Sequence, residues 1–385
     1  MRKIQMVDLQ GQYQEIKDQV DSSVLDVIAT AAFINGPEVH AFQAELEAYL
    51  DAKHVIPCAN GTDALQIAMM GLGLKPGDEV ITADFTFAAT AEVIALLQLT
   101  PVLVDVDPVS FNIDVAAVKA AITPKTKAIV PVHLFGLAAD MDAIMELANE
   151  HDLFVIEDNA QGIGSNYTFN NGAKVKTGVI GHVASTSFFP SKNLGCYGDG
   201  GAIFTNDDDL AHTIRGIVNH GMYVRYHHDV VGVNSRLDSI QATVLRAKLP
   251  RLDGYNATRQ DVARKYTSYF KDHAQIVTPK GKCDTETTIC DSCDCHVFHQ
   301  YTLKILNGKR DDLVAHLNQK GIPCGVYYPI PLHRQKAYLD NRYNEADFTV
   351  TNQLCKEVIS LPMHTELDDE QIEFICRTVL DFMNS

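Results

Sequence analysis

A mostly parallel α/β sheet with helices on its faces, followed by a smaller α+β unit, is the fold predicted by three observations on this chain. From about Asp78, short β-rich runs alternate with stretches of helical spacing, the pattern of parallel strands joined by crossover helices. A length of 385 residues with 46% hydrophobic content is enough to bury one large core and a second, smaller one. A long helical stretch over 239–270 is interrupted by Pro250, where the missing amide donor predicts a kink or break. The boundary is placed there, giving a large domain over 1–250, with its N-terminal segment, and a small domain over 251–385.

In the large domain the strands are expected at 79–82, 101–105, 128–132, 153–156, 184–188 and 202–205. Helices are expected between them at 88–97, 115–122 and 141–150, where apolar residues recur at helical spacing. After Pro250 come a β-rich run at 301–306, a helix at 311–320, the loop GIPCGVYYPIPLH and a last helix at 369–383. No internal repeat or low-complexity tract is visible.

The formal charge of -17 argues against a nucleic-acid or anionic-membrane partner, because both select basic surfaces. The start MRKIQMVDLQ lacks the apolar core of a secretory signal, and no run reaches the length of about 20 apolar residues that a membrane helix needs, so a cytoplasmic protein is expected. Nine cysteines in such a chain fit reduced thiols. Cys283, Cys290, Cys293 and Cys295 cluster in KCDTETTICDSCDCH, but their spacing is not that of paired zinc ligands, so a loop with free thiols and no metal is expected.

Lys192 lies in SFFPSKNLGCYGDGG, directly after an apolar run that reads as a buried strand. Partial desolvation lowers the pKa of such an amine and makes it a nucleophile towards carbonyls, which is what a Schiff-base lysine needs. Alone it reads as a surface lysine closing a strand; the set of elements upstream decides otherwise. In CANGTDALQIAMMGLG, Gly61 and Thr62 open a helix whose free amides and hydroxyl suit a phosphate dianion, although the same residues make a good cap. In VIEDNAQG an acidic residue ends a parallel strand, at the rim where open α/β sheets bind ligands. Asp158 there can hold a pyridine nitrogen protonated, and since neighbouring strand residues face opposite ways, Glu157 cannot share the role. Gln161 is within reach of a phenolic oxygen on the same ring. In TADFTFAAT, Phe87 rather than Phe85 is the candidate to stack on that ring. In VGVNSRLDSIQA, Asn234 offers a neutral donor and Arg236 a fixed charge, with Asp238 as a competing ion-pair partner for the arginine.

On NGTDAL, VIEDNAQ, SFFPSKNLGCYGDGGAIFTND, VGVNSRLD and VYYPIPLH, the chain resembles the nucleotide-sugar aminotransferases of the DegT/DnrJ type, fold-type I pyridoxal phosphate enzymes. The likeness runs from VDLQGQY at Val7 to SLPMH at Ser360. It implies a seven-stranded, mostly parallel sheet, pyridoxal 5'-phosphate bonded to Lys192, Asp158 at the ring nitrogen, Gln161 at the ring oxygen and Phe87 on the ring. It further implies Gly61, Thr62 and Ser187 at the phosphate, Asn234 from the neighbouring subunit of a homodimer, and Arg236 and Tyr328 around the sugar. Within the family the chain looks most like enzymes that aminate C3 of UDP-2-acetamido-2-deoxy-3-oxo-glucuronic acid for surface polysaccharide, with L-glutamate as donor.

That likeness implies a ping-pong reaction in which Lys192 moves the proton in both halves. A C4 or other keto-sugar aminotransferase, a transaminase for a simple amino acid, and a cofactor-binding regulatory protein without turnover are the alternatives. A sugar dehydratase of the same fold has histidine where Lys192 stands. Two segments depart from the pattern: NYTFNNGAKVKTG, longer than usual between Gln161 and the lysine strand, and the cysteine-bearing loop over 283–295.

Overall fold

The computed structural model describes residues 2–281 and 294–385. In the large unit the strands are β1 (His54–Cys58), β2 (Glu79–Ala83), β3 (Thr100–Val104), β4 (Thr126–Val130), β5 (Phe154–Asp158), β6 (Asn166–Thr168), β7 (Lys174–Lys176), β8 (Val183–Ser187) and β9 (Gly201–Thr205). Seven of them form one sheet in the order β1-β9-β8-β5-β4-β2-β3, and β6 and β7 make a separate hairpin. Only β9 runs against the others, pairing antiparallel with β1 and β8. The mostly parallel sheet read from the sequence is therefore correct, with strand ends displaced by one or two residues.

Alternation along the strands buries both faces. Ile81, Ile129 and Val155 enter the core shared with the helices Val115–Ala121 and Met141–His151, while Val80, Ala128, Val130 and Ile156 enter the opposite core with the helices Gly61–Gly71 and Asp208–Ile217. Two covered faces explain why these strands read as continuous apolar runs rather than as alternating ones.

Strand β1 carries Pro57 inside its run HVIPC and was not foreseen. It is an edge strand with β9 as its sole neighbour, and an edge tolerates a residue without an amide donor. The helices Leu9–Thr30 and Pro37–Leu50 precede it. NYTFNNGAKVKTG supplies the β6/β7 hairpin, fastened by the Tyr167 hydroxyl on Asp140 (3.0 Å) and by Lys174 on Asp294 (2.5 Å).

The stretch over 239–270 divides at Pro250 into the helices Ser239–Lys248 and Leu252–Phe270, joined by a 3₁₀ turn. Leu252 packs in the core beneath β1, β8 and β9, whereas Val262, Tyr266 and Phe270 pack in a second core. That second core is built on the antiparallel strands Ile276–Val277, Tyr301–Ile305 and Val358–Leu361 and on the helices Arg310–Gln319 and Asp369–Met383. The last helix opens with a capping box, Asp368 accepting from the Gln371 amide (2.9 Å) and Gln371 from the Asp368 amide (3.2 Å). Between the small sheet's last two strands, residues 327–357 return to the large sheet as a strap across the ends of β2 and β3, where the Tyr343 hydroxyl donates to the Pro101 carbonyl (2.8 Å). Among the described residues, no helix is long and apolar enough to cross a membrane.

Candidate active site

The carboxyl ends of β1, β2, β5 and β8 lie along one edge of the sheet, and each is followed by a segment carrying candidate residues. Beyond β1, Asn60 caps the helix Gly61–Gly71: its side chain accepts from the Asp63 amide (2.8 Å) and its carbonyl from the Ala64 amide (3.1 Å). The amides of Gly61 and Thr62 precede that first intrahelical bond and point out of the helix. A Cβ at Gly61 would stand 2.7 Å from the Ser187 Cβ, so these two residues face each other across a gap that only glycine leaves open, with Thr62 next to Gly61 in the first turn of the helix. The Ala59 amide just before it donates to the Ser235 hydroxyl (3.1 Å), which brings the Asn234 segment to the back of the same turn.

At the end of β5 the two carboxylates separate as strand geometry requires. Glu157 is fully buried and accepts from His133 Nε2 (2.9 Å) and from the amides of Gly178 (2.7 Å), Ile180 (2.7 Å) and Gly181 (2.6 Å). Burial alone would raise its pKa, but the histidine and the amides outweigh it and the net shift is downward. The Ala139 amide donates to His133 Nδ1 (3.1 Å), which leaves Nε2 as the nitrogen that turns to Glu157. Asp158 instead accepts from the Thr90 hydroxyl (2.8 Å) and the Ala160 amide (3.1 Å).

Lys192 follows β8 in a turn closed by its own amide on the Phe189 carbonyl (2.8 Å). Burial pushes its ammonium down to about 8, and the Asp158 carboxylate acts on it in the opposite sense. The next residue, Asn193, is buried and donates to Asn256 Oδ1 (2.7 Å) and to the Val297 carbonyl (3.0 Å), tying the lysine turn to the second unit. His299 lies against it, Nδ1 to Asn193 Oδ1 at 3.4 Å, and burial together with the Lys192 charge drives its pKa well down.

Phe85 is buried in the sheet core, whereas Phe87 is 57% exposed. The Phe87 ring stands 6.4 Å from that of Tyr328, a strap residue. Gln161 is held on both sides of its amide: its Oε1 accepts from the Phe135 amide (2.6 Å) and its Nε2 donates to the Tyr328 hydroxyl (3.3 Å). Asn234 is exposed and Arg236 half-buried, with no ion pair to Asp238 or to any other described residue. Thus Lys192, Asp158, Gln161, Tyr328 and Phe87 are linked by contacts or charge, Gly61, Thr62 and Ser187 form the adjoining cradle, and Asn234 and Arg236 stand outside both sets. Cys283, Cys290 and Cys293 lie outside the described residues.

Thr90, Asn193 and His299 were not singled out from the sequence. Thr90 lay in the quoted run after β2, where a hydroxyl early in a helix is an ordinary feature. No local pattern marks His299, because its proximity to the lysine is set by chain packing over more than a hundred positions.

A lysine and a carboxylate brought together at the carboxyl rim, beside an anion cradle at a helix N-terminus, define an enzyme that works through a phosphorylated aldehyde cofactor. The chain belongs to the DegT/DnrJ/EryC1/StrS aminotransferase family, whose pattern it matches over residues 14–380. It is 46% identical over 373 residues to the UDP-2-acetamido-2-deoxy-3-oxo-D-glucuronate aminotransferase of Pseudomonas aeruginosa, covering 97% of this chain and 98% of that one. It is also 46% identical over 381 residues to a "pleiotropic regulatory protein" of Geobacillus stearothermophilus, covering 98% of each. A crystal structure of a family member from Brucella abortus superposes with a TM-score of 0.91 at 41% identity, over 99% of this chain and all of that one. NtdA from Bacillus subtilis, solved with bound cofactor PMP, superposes with a TM-score of 0.89 at 30% identity, over all of this chain and 86% of that one. The protein is a pyridoxal phosphate-dependent sugar aminotransferase. The residues present fit that cofactor: the cradle closed to any side chain at Gly61, the desolvated amine of Lys192 and the buried carboxylate of Asp158 match its phosphate, aldehyde and ring nitrogen.

Proposed function

We propose that the protein transfers the amino group of L-glutamate to C3 of UDP-2-acetamido-2-deoxy-3-oxo-glucuronic acid, for surface polysaccharide, as a homodimer with shared sites. The observation that carries this reading is the 46% identity, over nearly the whole of both chains, to the P. aeruginosa enzyme acting on that keto-sugar. The amine at 192, lowered to about 8 beside Asp158, supports the chemistry.

Pyridoxal phosphate, when bound, supplies an electron sink for the carbon that loses its proton. In this reading Lys192 takes the α-proton of glutamate and later delivers a proton to C3 of the sugar from its own side, which fixes the configuration there. Asp158, held by Thr90 and the Ala160 amide, keeps a positive charge on the ring nitrogen, Gln161 meets the ring oxygen and Phe87 covers the ring. Gly61, Thr62 and Ser187 hold the phosphate, Asn234 reaches it from the partner subunit, and Arg236 and Tyr328 contact the sugar.

Steady-state assays with glutamate and a panel of keto-sugars test it. The panel holds UDP-2-acetamido-2-deoxy-3-oxo-glucuronic acid, the matching 3-oxo-glucose without the carboxylate, and a 4-keto nucleotide sugar. The largest kcat/KM is expected for the uronic acid, and a larger value for either of the others replaces this substrate with the winner.

A further inference from the structure

Asp84 and His333 form a buried pair that the chemistry above does not use. Asp84 immediately follows β2 and opens the segment that carries Phe85 and Phe87; it is 1% exposed. Its two oxygens accept from the His333 amide and from His333 Nδ1, both at 2.7 Å, and its carbonyl accepts from the Leu332 amide (3.2 Å). The His333 ring is stacked on Phe348 (4.2 Å between centroids, 12° between planes). Its Nε2 faces a Glu345 oxygen at 3.5 Å.

Apolar residues of similar shape would hold the strap as well as this buried pair does. What the polar pair adds is direction. A carboxylate gripped at two points by one residue fixes both the separation and the rotation of the segments it joins. Those segments bear the two aromatic rings that face each other: Tyr328 stands 6.4 Å from Phe87 and 5.9 Å from Phe85, five positions before His333. Beyond the pair, Asp105 after β3 accepts from the amides of Val350 (2.9 Å) and Thr351 (2.8 Å), so the far end of the strap is pinned independently.

We propose that Asp84 and His333 are positioning residues for the acceptor sugar, setting the gap between Phe87 and Tyr328 by locking the strap onto the segment after β2. The proposal rests on the reading of Phe87 and Tyr328 as site residues. Glutamate reacts at Lys192, on a turn the lock does not join, whereas Tyr328, read as a sugar contact, stands on the strap that the lock holds. Loosening the lock therefore weakens the sugar half-reaction more than the glutamate half-reaction.

The test compares the cofactor-loaded enzyme with His333→Leu, which breaks the lock, and His333→Asn, whose amide can donate in place of Nδ1. His333→Leu is expected to raise KM for UDP-2-acetamido-2-deoxy-3-oxo-glucuronic acid about tenfold, with the rate of the visible absorbance change on mixing with glutamate kept. His333→Asn is expected to recover most of that KM. A folded His333→Leu with unchanged sugar KM, or with both half-reactions slowed alike, overturns the proposal. Should His333→Leu fail to fold, Asp84→Asn, which keeps the shape and loses the charge, is held to the same two outcomes. Tyr328→Phe and Phe87→Leu in the same assay separate the two readings: if neither moves the sugar KM, the site assignment falls and the proposal with it. If they raise it while the His333 variants do not, only the lock falls.

Discussion

The amine of Lys192 is neutral at a pH where an exposed lysine is charged, because burial removes water from the ammonium more effectively than Asp158 compensates. With its pKa lowered to about 8, the group is protonated below that pH and free to attack an aldehyde above it. Uptake of pyridoxal phosphate by the cofactor-free protein, followed by visible absorbance, is expected to accelerate with a midpoint near pH 8. In Asp158→Asn, which removes the neighbouring negative charge, the midpoint should move down. A midpoint near 10.5, the ordinary lysine value, would show that the amine faces water.

At the same scale Glu157 is a structural residue, although it sits one position from the candidate ring partner. Four donors converge on a carboxylate with no exposure, so replacing it with Gln leaves several of them unmatched. Glu157→Gln is expected to cost about 3 kcal/mol of unfolding free energy in denaturant titrations. Because its pKa is depressed in the fold, its contribution is fully present above the ordinary glutamate value of 4.5 and is lost as pH falls through the lower folded value. The destabilisation by Glu157→Gln should accordingly shrink in acid, and a difference that is constant with pH would mean that the carboxylate is uncharged in the fold.

Among elements, the turns after β1, β5 and β8 are the ones whose purpose could be read locally. Each combines a strand end with residues whose chemistry is unusual there: a glycine before a helix, an acid at a rim, a lysine after an apolar run. Strand β1 escaped because Pro57 argues against a strand until its place at the sheet edge is known. The direction of β9 was equally hidden, since an apolar run of five residues carries no mark of which way its neighbours point. The cradle gives this scale its own test. Gly61→Ala should lower affinity for pyridoxal phosphate at least about tenfold, because the added methyl group meets Ser187 where the phosphate is proposed to sit. Unchanged affinity in equilibrium dialysis would place the phosphate elsewhere.

For the whole molecule, the exposed Asn234 beside a site otherwise assembled within one chain is what two-fold sharing would complete. Lys192→Ala and Asn234→Ala are each expected to be inactive or nearly so. Mixed in one dimer they regenerate a native site, so co-expression should recover about a quarter of wild-type activity if subunits pair at random. Hybrids purified through two different affinity tags that stay inactive would place Asn234 in its own chain's site or in none.

From the sequence alone came the strand and helix alternation, the break at Pro250, and the chemical types gathered at Lys192, Asp158 and Gly61, because these depend on residues a few positions apart and on propensities that act locally. The tertiary structure alone decided that His299 lies against the lysine turn, that Thr90 holds Asp158, and that Asp84 grips a histidine 249 positions away. Such partners meet only when the sheet and the strap have packed, and hydrogen bonds between distant segments leave no periodic trace in the chain.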